Sequence, residues 1–274
     1  MSVLDAILLG IIQGLTEFLP VSSSGHLVIA QNLLEGFHQE GVLFDVMLHL
    51  GTLLAVVFFL WREIHALLIS LIPRRWRHGP QRYDETALST RRNIAFLILV
   101  GTAVTGMIGI TFKHEIHRLF QSVEIVAGML IVTGILLFVA DRVKNATRTE
   151  GAMNISDALI IGLAQAFALV PGISRSGSTI AFGMFRNIDG ETAARFSFLL
   201  SIPAILGAAV LELEYITNVT PGEVAVYLTG MTAAAVTGFF ALKLLFFMVK
   251  KRGLRIFSYY CWFVGITTIT MTMI

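Results

Sequence analysis

The sequence has 274 residues, of which 55% are hydrophobic and only 14% charged, with a formal net charge of +2. Soluble domains carry about 25% charged residues, so this chain lacks the charged skin of a soluble enzyme and reads as an integral membrane protein. The near-neutral balance excludes electrostatic recruitment of nucleic acid, and the single Cys261 excludes a disulfide framework or a Cys-rich metal site.

No basic residue precedes the first apolar run, so the N-terminus does not read as a cleaved signal peptide. That run, 3–35, is interrupted near its middle by FLPVSSSGH (18–26), and the flanking apolar pieces are shorter than the roughly 20 residues a span requires. On its first half Gln13 and Glu17 lie four apart and share a helix face. Ionisable groups at membrane depth are costly and tend to face a cavity, which makes Glu17 a functional candidate; helix gluing is the plainer alternative. The break supplies Ser22, Ser23, Ser24, Gly25 and His26 ahead of a second apolar helix. Such a tip can turn backbone N–H groups toward an anion at a helix start, whereas simple N-capping accounts for one serine only.

The first full span is 44–61, with Asp45 and His49 as a packing or supporting polar pair. The loop 62–92 follows with Arg62, Arg74, Arg75, Arg77, Arg82, Arg91 and Arg92, together with His65 and His78. Spans 93–112 and 122–140 are joined by 113–121, where Lys113, His114, Glu115, His117 and Arg118 read as interfacial. The small residues of GMLIVTG (128–134) suit close helix packing, within the chain or across a homodimer alike. After a basic loop with Arg142, Lys144 and Arg148, the apolar run 156–186 is again broken, by LVPGISRSGST (169–179). This second tip carries Ser174, Arg175, Ser176, Gly177 and Thr179. Arg175 has no carboxylate within four residues, and its guanidinium fork suits phosphate oxygens; a locking ion pair with Glu17 is the structural alternative. Spans 194–213, 225–249 and 256–274 complete the chain, with Glu212 and Glu214 on a short loop and Lys250, Lys251, Arg252 and Arg255 in the last turn.

The three basic loops hold fourteen of the 20 Lys and Arg residues. Placing them in the cytoplasm puts both termini outside, provided each broken run enters and leaves on one side as a re-entrant hairpin. The chain also repeats. At an offset of 152, Asp5, Gly10, Gln13, Ser22, Ser24 and Gly25 meet Asp157, Gly162, Gln165, Ser174, Ser176 and Gly177. At an offset of 132, AVTG (103–106) meets AVTG (235–238). The expected fold is all-α: one polytopic membrane domain, 1–274, with six transmembrane helices and two re-entrant hairpins. Its repeats, about 1–142 and 153–274, have inverted topology because each holds three spans. Such folds place their site near the midplane, where broken tips meet.

Facing tips with Glu17, His26, Arg175 and several hydroxyls have the parts for phosphoryl transfer. Arg175 and N–H groups would stabilise charge, and His26 or a serine such as Ser23 would attack with Glu17 to orient or deprotonate it. Glu17 and a diphosphate suit a bridging divalent cation. A secondary transporter of a lipid phosphate or anion is the rival reading of the same architecture; a mere scaffold leaves the asymmetric Glu17, His26 and Arg175 unexplained.

At QGLTEFLPVSSSGH (13–26) and PGISRSGST (171–179) the chain resembles the bacterial undecaprenyl-diphosphate phosphatases of the bacitracin-resistance type, and the resemblance extends over nearly its whole length. Gln13 and Glu17 match the family's first motif. Pro171, Gly172, Ser174, Arg175, Ser176 and Thr179 match its second, and His26 matches its histidine. The resemblance implies a hydrolase that converts a C55 polyprenyl diphosphate to the monophosphate. It implies dependence on Mg²⁺ or Ca²⁺ and a site open to the outer face of the bacterial inner membrane. It also implies recycling of the lipid carrier for peptidoglycan synthesis, hence cell shape, and bacitracin resistance. Within it the catalytic residues would be Glu17, Ser23, His26 and Arg175, with Glu17 also a metal ligand. Substrate would be held by Gln13, Ser22, Ser24, Gly25, Ser174, Ser176, Gly177 and Thr179. Membrane lipids surround it, and nucleic acid is no partner.

Overall fold

The computed structural model describes residues 1–34, 43–73, 84–212, 221–251 and 253–273. Arg74, Arg75, Arg77, His78, Arg82, Glu214 and Arg252, all given places above, lie outside the described residues.

Helix α1 (Val3–Phe18) starts at a reciprocal cap, in which Ser2 Oγ accepts from Asp5 N and Asp5 accepts from Ser2 N. It stops ahead of Pro20, because a residue preceding proline is pushed out of the helical region, and Leu19 is extended. Helix α2 (Ser23–Leu33) then starts on the Ser22 cap. Helix α3 (Leu43–Phe59) bends by 78° into α4 (Trp61–Leu71). Helices α5 (Glu85–Thr111), α6 (Lys113–Leu119) and α7 (Val123–Ala140) follow. A short 3₁₀ turn, Glu150–Ala152, leads to α8 (Ile155–Phe167), whose Asn154 and Asp157 form the same reciprocal cap as Ser2 and Asp5. Gly172, at φ +92°, turns the chain before α9 (Arg175–Phe185). The last helices are α10 (Gly190–Glu212), α11 (Pro221–Lys250) and α12 (Arg255–Thr272).

Among the described residues all regular secondary structure is helical, apart from one isolated bridge between Arg148 and Ile188. Four helices among the described residues are long and apolar enough to cross a membrane: Glu85–Thr111, Val123–Ala140, Gly190–Leu211 and Gly222–Lys250. The bent pair α3–α4 makes a fifth if it is counted as one span. Helix α12 has 18 residues, but its Ser, Thr and Tyr dilute it, and it is not among them. The members of the two broken runs, with 16, 11, 13 and 11 residues, are each too short. Two segments read as loop from the sequence are helical. Residues 61–71 place Leu67 and Ser70 inward and Trp61, Arg62 and His65 outward, while Glu63 pairs with Arg195 of α10. Residues 113–119 form α6 with no buried residue.

Small residues set the closest approaches. Helix α1 lies on α11, where a Cβ at Gly10 would fall 2.8 Å from Ala233 Cβ; α8 lies on α5, where a Cβ at Gly162 would fall 2.8 Å from the Gly101 oxygen. Helix α7 packs on α12. Of the two glycines in GMLIVTG, Gly134 serves that contact, against Trp262, while a Cβ at Gly128 would meet nothing within 4 Å. One extended core joins these layers, with the Phe18 and Phe198 rings edge to face at 5.6 Å. At the start of α8 the buried Asp157 carboxylate is clamped by Arg148 at 2.6 Å and Arg186 at 2.9 Å. Arg148 also donates to the Ala152 and Arg186 carbonyls. The sequence reading had given Arg148 only a topological role.

Candidate active site

Glu17 occupies the last turn of α1 and is 7% exposed. A buried carboxylate is tolerated only when paired and hydrogen-bonded, and this one is both. Its Oε2 accepts from Ser23 Oγ at 2.6 Å and from Gln13 Nε2 at 3.1 Å. Its Oε1 accepts from Arg175 Nη2 at the start of α9, so the two broken runs meet tip to tip at an ion pair. His49 Nε2, on α3, stands 3.8 Å from Oε2. The second guanidinium nitrogen, Arg175 Nη1, is buried without a hydrogen-bond partner. It is an unused donor beside a paired one, and a desolvated donor of this kind is costly unless a ligand meets it.

Glu17, Ser23, His49 and Arg175 share a cavity of about 580 Å³, which Gln13, behind Glu17, does not line. One part of its wall is polar, with Glu17, Ser23, Ser24, His49, Ser174 and Arg175; the rest is largely apolar, including Leu27, Val28, Ile173 and Ile205. A cavity lined by both charged and apolar side chains fits an amphiphile with an anionic head. Ser23 is the hydroxyl in contact with the carboxylate because it is the first residue of α2, one position past the cap.

Several expected site residues do other work. Ser22 Oγ accepts from Gly25 N and Ser174 Oγ from Gly177 N, so the N–H groups of both glycines, expected to face an anion, are consumed by the caps. A Cβ at Gly25 would sit 3.2 Å from Gly172 Cα, so that glycine also lets the tips approach. Ser176 Oγ reaches Ser174 Oγ and the Leu19 carbonyl. Thr179 Oγ1 bonds Ser197 Oγ at 2.5 Å and the Arg175 carbonyl at 2.9 Å, fastening α9 to α10. His26 is not brought to the cluster and does not line the cavity. Its Nδ1 lies 2.8 Å from the Ser22 carbonyl and its Nε2 2.9 Å from the Tyr260 hydroxyl.

His49 is the residue sequence reasoning undervalued, since its placement against Glu17 depends on how α3 crosses the bundle. Gln165 was visible only as the repeat partner of Gln13. It lines the cavity, donates to Thr105 Oγ1 at 3.1 Å and keeps a buried, unpartnered Oε1. Among the described residues no three His, Cys, Asp or Glu form a ready-made metal cage. Gln13 Oε1, however, is a buried oxygen without a partner on the residue that hydrogen-bonds Glu17. Hard oxygens in this number suit a cation that takes its remaining ligands from phosphate and water.

The family model described as bacitracin resistance protein BacA matches residues 6–267. Among curated relatives, the undecaprenyl-diphosphatase of Syntrophotalea carbinolica is 46% identical over 267 residues, covering 97% of each chain. That of Halothermothrix orenii is 42% identical, covering 99% of this chain and 98% of its own. That of Methanobrevibacter smithii is 40% identical, covering 97% and 96%.

Proposed function

The chain belongs to the bacitracin resistance protein BacA family, and from that premise we propose that it hydrolyses undecaprenyl diphosphate to undecaprenyl phosphate and inorganic phosphate. The observation that carries the mechanism is the 2.6 Å hydrogen bond from Ser23 Oγ to the buried Glu17 carboxylate, beside the unpartnered Nη1 of Arg175. Ser23 is the hydroxyl poised to lose its proton, whereas both ring nitrogens of His26 are engaged elsewhere.

In the first half-reaction Ser23 Oγ attacks the terminal phosphorus as its proton passes to Glu17. The bond from that phosphorus to the bridging oxygen breaks, and the polyprenyl monophosphate leaves. Arg175 faces the transferred group with its unused N–H donors and stabilises the charge that builds there. In the second half, water attacks the phosphoserine and gives a proton to His49, which later returns it to solvent, because Glu17 still holds the proton of Ser23. The P–Oγ bond breaks, Ser23 recovers its proton and phosphate departs. Glu17 with Gln13 Oε1 would hold Mg²⁺ or Ca²⁺, which when bound adds positive charge beside the diphosphate. The apolar wall takes the start of the prenyl chain.

Six spans and two re-entrant hairpins form an inverted repeat of about 1–142 and 153–274. Its basic loops are cytoplasmic and its cavity opens to the outer leaflet of the inner membrane, where the enzyme recycles the cell-wall lipid carrier and, when abundant, confers bacitracin resistance. Support comes from the basic loops, from α2 and α9 beginning and ending 152 residues apart, and from α7 and α12 standing 132 apart. Helix α1 packs on α11 as α8 packs on α5.

The test is phosphate release from farnesyl or longer prenyl diphosphates by purified protein in detergent, with Mg²⁺ or with chelator. Release should require the cation. Ser23→Ala should bind substrate yet lose about 10³-fold or more in rate, and quenched wild-type enzyme should carry phosphoserine. Movement of a lipid phosphate across liposomes without phosphate release would replace this reading with the transporter.

A further inference from the structure

Ser22, the residue just before Ser23, has φ +68° and ψ 98°. Among the described residues only Asn187 is another non-glycine with positive φ, and asparagine tolerates that region far better than serine. Capping does not demand this conformation. Ser174 is the corresponding cap of α9 and accepts the same hydrogen bond, from Gly177 N to Ser174 Oγ, yet sits at φ −74° and ψ 119°. Something specific to the first tip holds Ser22 where an L residue resists being held.

The Ser22 carbonyl is gripped twice by His26, through the backbone N at 3.2 Å and through ring Nδ1 at 2.8 Å. A carbonyl only accepts, so Nδ1 carries the proton and the neutral ring leaves Nε2 as acceptor. With the neutral tautomer, Nε2 accepts a hydrogen bond from the Tyr260 hydroxyl, on α12, at 2.9 Å. The two rings lie nearly parallel, 6° apart with centroids at 5.5 Å. At the corresponding places of the second half, 152 and 132 residues away, stand Ser178 and Gly128. The second tip therefore has neither the imidazole nor the phenol, and neither does its cap adopt a positive φ. The chain from phenol to imidazole to carbonyl occurs only where a serine must meet Glu17.

We infer that Tyr260 and His26 are positioning residues: the Tyr260 hydroxyl orients His26, His26 holds the Ser22 peptide, and that peptide aims Ser23 Oγ at Glu17. This rests on Ser23 being the attacking group. His26 contributes no lone pair to phosphorus, because one ring nitrogen is protonated and the other is occupied.

The test is steady-state kinetics of detergent-purified variants on a prenyl diphosphate, with thermal unfolding measured in parallel. Tyr260→Phe removes one oxygen and keeps the ring; kcat should fall about 10-fold with KM and unfolding temperature unchanged. His26→Ala should fall further. His26→Asn, whose amide can still donate to the Ser22 carbonyl, should recover part of that loss. Because the phenol acts through the imidazole, adding Tyr260→Phe to His26→Ala should cost nothing more. All three variants should still form phosphoserine, slowly. Wild-type kcat in Tyr260→Phe, a loss expressed only in KM or unfolding temperature, additive effects of the two changes, or no recovery in His26→Asn would overturn the inference while leaving Ser23 as attacker. Phosphohistidine at His26, or full activity in Ser23→Ala, would instead overturn the assignment of Ser23 and the inference with it. If Tyr260→Phe fails to fold, the comparison of His26→Asn with His26→Ala still decides.

Discussion

Glu17 and Arg175 show how much one buried charge demands of its surroundings. Each is legible in the sequence because charges are scarce and these two sit on broken apolar runs. Their partnership is less legible, since 158 residues separate them. The guanidinium splits its work between Glu17, through Nη2, and an unpartnered Nη1. A lysine has one compact cation and no planar fork, so it cannot do both. Arg175→Lys is expected to keep the fold, because the carboxylate retains a counter-charge, but to lose about 10²-fold in kcat; phosphate release against a melting curve tests the two parts. Arg175→Ala leaves Glu17 buried and unpaired and should destabilise by about 3 kcal/mol as well, visible as a lowered unfolding temperature. His49 illustrates the opposite limit. Nothing around it in sequence separates a packing histidine from one 3.8 Å from the site carboxylate.

Among elements, the breaks were the most legible. Pro20 and Pro171 forbid helix just before them, so α1 and α8 end close to where the sequence turns polar. Helices α4 and α6 are hard to read from the sequence because each is short: α4 opens with Arg62 beyond a 78° bend, and α6 carries Lys113 and Arg118 in seven residues with none buried. Helix α8 also differs from α1 in a way its cap motif conceals. Asp5 merely closes the cap at an exposed end, whereas Asp157, its repeat partner, is buried beneath Arg148 and Arg186. Asp157→Asn removes the charge on which both arginines converge. It should cost on the order of 2–3 kcal/mol, read as thermal unfolding in detergent. Asp5→Asn, which touches one exposed cap, should cost less than about 1 kcal/mol. Equal losses at the two positions would contradict the clamp.

At the scale of the molecule, orientation follows from charge bias and is testable because the background is clean: the one cysteine, Cys261, is buried. A cysteine introduced within 62–92 should react with an impermeant maleimide only from the cytoplasmic side of intact cells, and one within 214–220 only from outside; the reverse pattern would invert the topology. Composition alone establishes a membrane protein, since 14% charge cannot coat a soluble surface. Local sequence alone sets where helices break and which residues carry charge at depth, because prolines, caps and isolated ions act over a few neighbours. Which serine meets Glu17, that His26 turns away to Tyr260, and that the second face of Arg175 is left unpaired were decided only by tertiary structure. Those contacts span up to 234 residues of chain and depend on close approaches made through small residues, such as Gly10 against α11 and Gly25 against Gly172. No pattern within one helix encodes that distance.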